Sequence, residues 1–383
     1  MDNWESRTTT DDKGTPTTIV TIRGKDFTVD EKLLEQLAEE GLADLQQAGR
    51  KAQSAGQKKF RTAPREGSGG ERVNLCNTEI GPVEVTYREY APGRTVKYRP
   101  GEGINFTDIN KKEYKKGMVF IQGWGTTVWD ESYEQVNQDF SDHGDARVFA
   151  VKTRADKASQ PDALLHEAAA VEQLIREQGL EEITVAGLSQ GGAEAIDLVT
   201  LLQKNLPDLK INGLILEDAV RLYEQSPAHL ISMFSADGTR TGAGMIAEGV
   251  KRPSGFLANA KTGIQAGTDV GRGVAKEMGR SGFRAWFKRS WSEVKEMASA
   301  NPRTAEVRVP VAIIQGASDG ISDYRKIDPN IFPNSPGVEV IKVPGGHGVA
   351  LFNSSELVPR ALEALDKYRN KDKGSTPEVA GAP

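Results

Sequence analysis

Apolar residues fall along this chain in short blocks, each closed by glycine, proline or charged residues, with amphipathic stretches between them. Residues 117–121, 146–151, 183–186, 211–216 and 311–316 are near-continuous apolar runs of strand length, the pattern of strands buried on both faces. Residues 338–343 read as a further strand. Between these runs the period changes. Leu164, Ala168, Val171 and Ile175 form one stripe at helical spacing, with Glu167, Glu172, Arg176 and Glu177 expected on its solvated side. Residues 193–199 also read as helix. Strands alternating with helices predict an α/β protein built on a mostly parallel sheet.

The flanks read differently. Residues 17–22 and 27–29 bracket Arg23-Gly24-Lys25-Asp26 and predict a hairpin. Asp30 then suits a helix N-cap, with Leu34, Leu37, Leu42 and Leu45 on a common face. That face is expected to pack on the body of the protein, with docking of a partner as the alternative. Residues 51–70 are polar and rich in Gly, Lys, Arg and Ser, as in a flexible linker, and the tail from Lys371 is expected to be disordered. No internal repeat is present.

Candidate chemistry sits where strands end. Gly187-Leu188-Ser189-Gln190-Gly191 lies between the run 183–186 and the helix 193–199, the strand–turn–helix setting of a nucleophile elbow. Gly187 and Gly191 leave out side chains that would clash where strand and helix converge. Asp319 follows the run 311–316, and His347 follows 338–343 in Pro344-Gly345-Gly346-His347-Gly348. Open parallel sheets place their chemistry at such strand ends. The order serine, acid, histidine is that of one hydrolase fold, and differs from the chymotrypsin-like and subtilisin-like orders. Asp218, after the run 211–216, is the alternative acid, and Asp323 a more distant one. A fourth element is Gln122-Gly123-Trp124-Gly125, directly after the strand 117–121.

With these residues in place, the chain resembles the α/β-hydrolase superfamily over about residues 83–370. The resemblance implies that fold, with a mostly parallel central sheet flanked by helices, a helical cap insertion and an N-terminal extension. It also implies catalysis by Ser189, Asp319 and His347, with the backbone N–H groups of Trp124 and Gln190 as oxyanion-hole donors. Gly123 and Gly125 shape the oxyanion loop, as Gly187 and Gly191 shape the elbow. Gln122 departs from the family, where histidine is usual. The implied activity is hydrolysis of a carboxylic ester, thioester or amide through an acyl-enzyme. An acyltransferase on the same scaffold and a non-catalytic binding protein are the alternatives. A dehalogenase-like reaction would need an aspartate where Ser189 stands.

The boundaries expected are an extension and linker over 1–75, a hydrolase core over 76–220 and 303–370, a cap over 221–302, and a tail over 371–383. Residues 237–302 carry eleven Lys and Arg against six Asp and Glu, in a chain whose net charge is −5. Those charges read as a solvated face, with steering of anionic substrates or contact with a membrane surface as alternatives.

Composition narrows the classes further. An acidic balance with 27% charged residues is not that of a dedicated nucleic-acid binder. No apolar run reaches the roughly 18 residues of a membrane span, and the start lacks the regions of a secretory signal, so a cytoplasmic location without stable membrane insertion is expected. The single cysteine, Cys76, excludes an intramolecular disulfide. His143 beside Asp142 and Asp145 is too isolated for a metal site, and residues 67–70 lack the strand and helix of a phosphate loop, so neither metal nor cofactor is expected. The expected partner is a small acyl substrate; the oligomeric state is left open.

Overall fold

The computed structural model describes residues 4–10, 16–22, 25–29, 72–78, 81–92, 114–155, 162–230, 233 and 283–369, apart from 125, 127, 129, 131, 132 and 329. The expected leucine-rich helix from Asp30, the linker 51–70, Gly125, most of the segment 231–282 and the tail lie outside them.

The predicted N-terminal hairpin is present as β2 (Pro16–Ile22) and β3 (Lys25–Val29), paired antiparallel. A strand the apolar pattern did not announce, β1 (Trp4–Thr10), pairs antiparallel with β2 to complete a three-stranded sheet. Its run of threonines has strand propensity but no apolar alternation.

Among the described residues, the main sheet has eight strands. They are β4 (Arg72–Thr78), β5 (Gly81–Tyr90), β6 (Lys116–Ile121), β7 (Arg147–Ala155), β8 (Glu182–Leu188), β9 (Lys210–Glu217), β10 (Val311–Gly316) and β11 (Val338–Val343). From one edge their order is β4-β5-β7-β6-β8-β9-β10-β11. The two strands at the β4 edge pair antiparallel, and from β7 to β11 every pair is parallel. β4 begins at Arg72, so the sheet starts before the expected boundary at residue 76.

Helices cover both faces. On one lie α2 (Ala163–Arg176) and α3 (Gln190–Asn205), against Val119, Ile121, Val185, Leu214, Leu216 and Ile313. On the other lie α1 (Glu134–Gly144) and α5 (Ala350–Arg369), against Met118, Phe120, Ala186, Ile215, Ala312 and Ile314. Successive residues of one strand thus serve opposite cores, and this is why the sequence shows unbroken apolar runs where a one-sided strand would alternate. Between β9 and β10 the chain returns to the sheet through α4 (Phe283–Ala298).

The apolar stripe of α2 faces the core as expected, but two of its acids do not face solvent. Glu167 and Glu172 are buried, 4% and 5% exposed. Glu172 is held by Arg176 and Asn205, and Glu167 meets Thr153 of β7 at 3.3 Å. Other elements pack over these two positions, whereas Arg176 and Glu177 are exposed as expected.

Candidate active site

Ser189 stands between β8 and α3 with φ 55° and ψ −117°, a conformation that non-glycine residues rarely adopt. The strain is held by main-chain hydrogen bonds. Its N–H donates to the Glu217 carbonyl at 2.9 Å, and its carbonyl accepts from Gly192 at 3.1 Å and Val220 at 3.2 Å. The glycines of the elbow are required by contact. A Cβ on Gly187 would lie 2.1 Å from the Gly191 carbonyl oxygen, and one on Gly191 would lie 2.2 Å from that of Ile121. Ser189 is buried, and its Oγ has no hydrogen-bond partner among the described residues. Gln190 opens α3, where the first N–H groups of a helix lack intrahelical acceptors and the helix dipole favours negative charge.

The acid and the histidine come from the neighbouring strand ends. His347 Nδ1 lies 3.0 Å from Asp319 Oδ2. Asp319 is 5% exposed; its Oδ1 accepts from the N–H groups of Ile321 at 2.8 Å and Ser322 at 3.1 Å. Of the three acids that follow the apolar runs, Asp319 is thus the one hydrogen-bonded to the imidazole. Asp323 instead caps a short 3-10 turn and pairs with Arg325.

Asp218, the alternative acid, holds the loops together. One oxygen accepts from Gln315 Nε2 at 2.9 Å and Gly316 N–H at 2.8 Å, and the other from Gly348 at 2.7 Å and Val349 at 3.2 Å. It therefore ties the end of β9 to the end of β10 and to the residues just after His347. Burial, with the charge of Asp319 behind it, pushes its carboxyl up to about 7, against the pull of His347 and these donors. Asp218, Asp319 and His347 bring one ligand atom each within 4.8 Å of one another. The carboxylate lone pairs, however, already accept N–H groups, which suits a hydrogen-bond network and leaves little for a cation.

Gln315 is a site residue that the apolar pattern concealed. Its Nε2 reaches Asp218 Oδ1 and Asp319 Oδ2, both at 2.9 Å. The one available signal was a glutamine beside the end of an otherwise apolar strand.

The loop after β6 carries Gly123 and Trp124. The Gly123 carbonyl accepts from Lys152 Nζ at 2.8 Å and Thr126 Oγ1 at 2.7 Å. Gly123 also lies beside the elbow, its Cβ position 3.5 Å from Ser189 Cβ. The Trp124 indole N–H donates to Glu293 of α4 at 3.0 Å. Gln122, where the family has histidine, is buried with both amide atoms lacking a hydrogen-bond partner among the described residues.

The arrangement is that of an α/β-hydrolase fold: parallel strands in this order, a strained serine between strand and helix, and an acid and a histidine beyond the next strand ends. No family model matches the chain, and no curated protein matches it. Solved structures with a similar arrangement include a hydrolase from Pseudomonas aeruginosa PA01, at 14% identity over 80% of this chain and 99% of that one, with a TM-score of 0.47. A thermophilic esterase from Thermogutta terrifontis is 16% identical over 78% and 98%, with a TM-score of 0.48. A bromoperoxidase from Bacillus anthracis is 18% identical over 78% and 100%, also at 0.48. At such values the fold rests on the sheet order itself, and any chemistry rests on this chain's own residues. Among the described residues, no helix is long and apolar enough to cross a membrane.

Proposed function

We propose that this protein is a serine hydrolase that cleaves a carboxylic ester, or a related thioester or amide, through an acyl-enzyme on Ser189. The observation that carries this reading is an imidazole bound through Nδ1 to a buried carboxylate, at the same sheet edge as a strained serine. Asp319 accepts a hydrogen bond from the His347 Nδ1–H, which keeps that proton on Nδ1 and leaves Nε2 as the basic nitrogen. His347 takes the Ser189 proton as Oγ attacks the acyl carbon, and the carbonyl π electrons move onto oxygen. The N–H groups of Trp124 and Gln190 receive that oxyanion, each such donor being worth about 3 kcal/mol in the transition state. Collapse breaks the bond to the leaving group, which departs with the proton from His347. Water then attacks the acyl-enzyme, with His347 acting again as base and then acid.

The segment 221–302 is proposed as the cap over this site, and the extension 1–75 as an appendage to it. A cavity of about 380 Å³ beside Asp319 is bordered by His229, Met233, Ser318 and Lys326. The site is proposed to need no cofactor, metal or nucleic acid. The test is labelling by a fluorophosphonate, with wild type compared against Ser189→Ala, followed by p-nitrophenyl esters graded in acyl length. Labelling and turnover are expected in the wild type alone. Folded wild type that neither labels nor turns over any ester, or equal labelling of Ser189→Ala, would defeat the proposal.

A further inference from the structure

The helix α4 is fastened to the loop that carries Trp124. Its residues Val294, Met297 and Ala298 join Leu164, Ala193 and Val220 in one buried apolar cluster, and Trp124 packs against that cluster. From this seat Glu293 reaches the loop, accepting the Trp124 indole N–H at 3.0 Å. The other side of the loop is held as well, because the Gly123 carbonyl accepts from Lys152 and Thr126. The 123–124 peptide is planar and trans, so holding its carbonyl in one direction aims the Trp124 N–H in the opposite one. The peptide and the side chain of Trp124 are therefore anchored by different elements, and only the side-chain anchor comes from α4.

We infer that Glu293 is a positioning residue for the oxyanion site: it holds the Trp124 side chain as the second anchor of a residue whose peptide Lys152 and Thr126 hold from the other side, so that the Trp124 N–H keeps its full aim only with α4 seated on the core. This inference rests on the reading of Trp124 as an oxyanion donor, and adds that part of the segment between β9 and β10 completes the catalytic geometry. An indole N–H is a donor only, and a partly buried one needs an acceptor; a carboxylate is a stronger acceptor than an amide.

The surroundings tune that acceptor. Arg289 on the same helix lies 3.5 Å from the other Glu293 oxygen. Lys152 of β7 and Glu167 of α2 face Glu293 with opposite effects, and Glu194 of α3 in turn faces Glu167 and Lys152. Burial and Glu167 raise the Glu293 carboxyl to about 7, while Arg289, Lys152 and the indole oppose them. Ionisation as the pH rises through that value strengthens the bond to the indole.

The test uses the full chain labelled with 15N-tryptophan, together with ester kinetics. The Trp124 indole resonance, assigned by its loss in Trp124→Phe, is expected to shift with a midpoint near pH 7 in the wild type and to stay fixed in Glu293→Gln. Glu293→Leu and Trp124→Phe should each lower kcat about tenfold with KM within about twofold, less than the hundredfold or more for losing an oxyanion donor itself. The double variant should be no worse than either single one, since both remove the same tether. Glu293→Gln, which keeps an acceptor, should recover most of kcat at neutral pH. Losses that multiply, full kcat in Glu293→Leu, or an indole resonance that titrates equally in Glu293→Gln would overturn the inference. A wild type inactive on every ester would defeat the proposed function instead, while the indole titration would still report whether Glu293 holds Trp124.

Discussion

Replacement of Asp319 by asparagine separates the two acids at the site. Asp319 Oδ1 accepts two backbone N–H groups, so the amide oxygen of an asparagine would settle there. Its NH2 group would then occupy the place of Oδ2, 3.0 Å from His347 Nδ1 and 2.9 Å from Gln315 Nε2. An N–H pointing at Nδ1 forces the imidazole proton onto Nε2, and that tautomer cannot accept a proton from Ser189. The expected loss in kcat is about 10³–10⁴, equivalent to about 4–5 kcal/mol of transition-state stabilisation. Stability should fall by no more than about 1–3 kcal/mol, the cost of one donor facing another, because Gln315 keeps Asp218 and the Ser322 carbonyl as acceptors. Asp218→Asn should behave differently. The Asp218 carboxylate serves four N–H groups, two on each oxygen, so the amide leaves two of them facing a donor. That costs about 2–6 kcal/mol of stability, and any fall in turnover should come with a lower Tm. The assay is kcat on a p-nitrophenyl ester beside thermal melting of each variant. Asp218→Asn abolishing turnover at unchanged Tm, with Asp319→Asn within tenfold of wild type, would refute the assignment.

Two further outcomes are expected from the core. Glu217 is fully buried, its carboxyl oxygens have no hydrogen-bond partner among the described residues, and burial followed by the charge of Asp218 raises it to about 8. Folded protein keeps a proton there that the unfolded chain releases near the ordinary glutamate value, so stability is greatest below that value and falls as pH rises toward 8. The loss is on the order of 3 kcal/mol, and Glu217→Gln should remove it from the urea-unfolding free energies at pH 5 and 8; an unchanged slope would show that Glu217 is ionised when buried. At the elbow, Gly191→Ala would put a methyl 2.2 Å from the Ile121 carbonyl oxygen, against backbone that cannot step aside. A destabilisation of about 3 kcal/mol or more is expected by thermal melting, and wild-type stability would contradict the packing described for the elbow.

Much of the architecture was legible from local pattern. Unbroken apolar runs marked strands buried on both faces, and the order of Ser189 and Asp319 after two of those runs and His347 after the further strand 338–343 placed all three at one sheet edge. β1 was not legible, since its residues carry no apolar alternation, and Glu167 was misplaced on the solvated side because one helix does not reveal what lies over it. Asp319 was expected ahead of Asp218 only through the resemblance; the hydrogen bond to the imidazole that separates them comes from the fold.

What the sequence determined by itself was whatever depends on neighbours along the chain: the buried strands, the glycines at the elbow, and the type and order of the chemical groups at the strand ends. Tertiary structure alone decided which groups meet. Asp319 and Asp218 both follow buried strands, yet the loop after β11 presents the imidazole to one and two backbone N–H groups to the other. Glu293 reaches Trp124 across 169 positions of chain, a contact that no periodicity encodes. The physical reason is range: propensity, patterning and steric exclusion act within a few residues, whereas hydrogen bonds between buried groups are selected only when separate elements pack and exclude water.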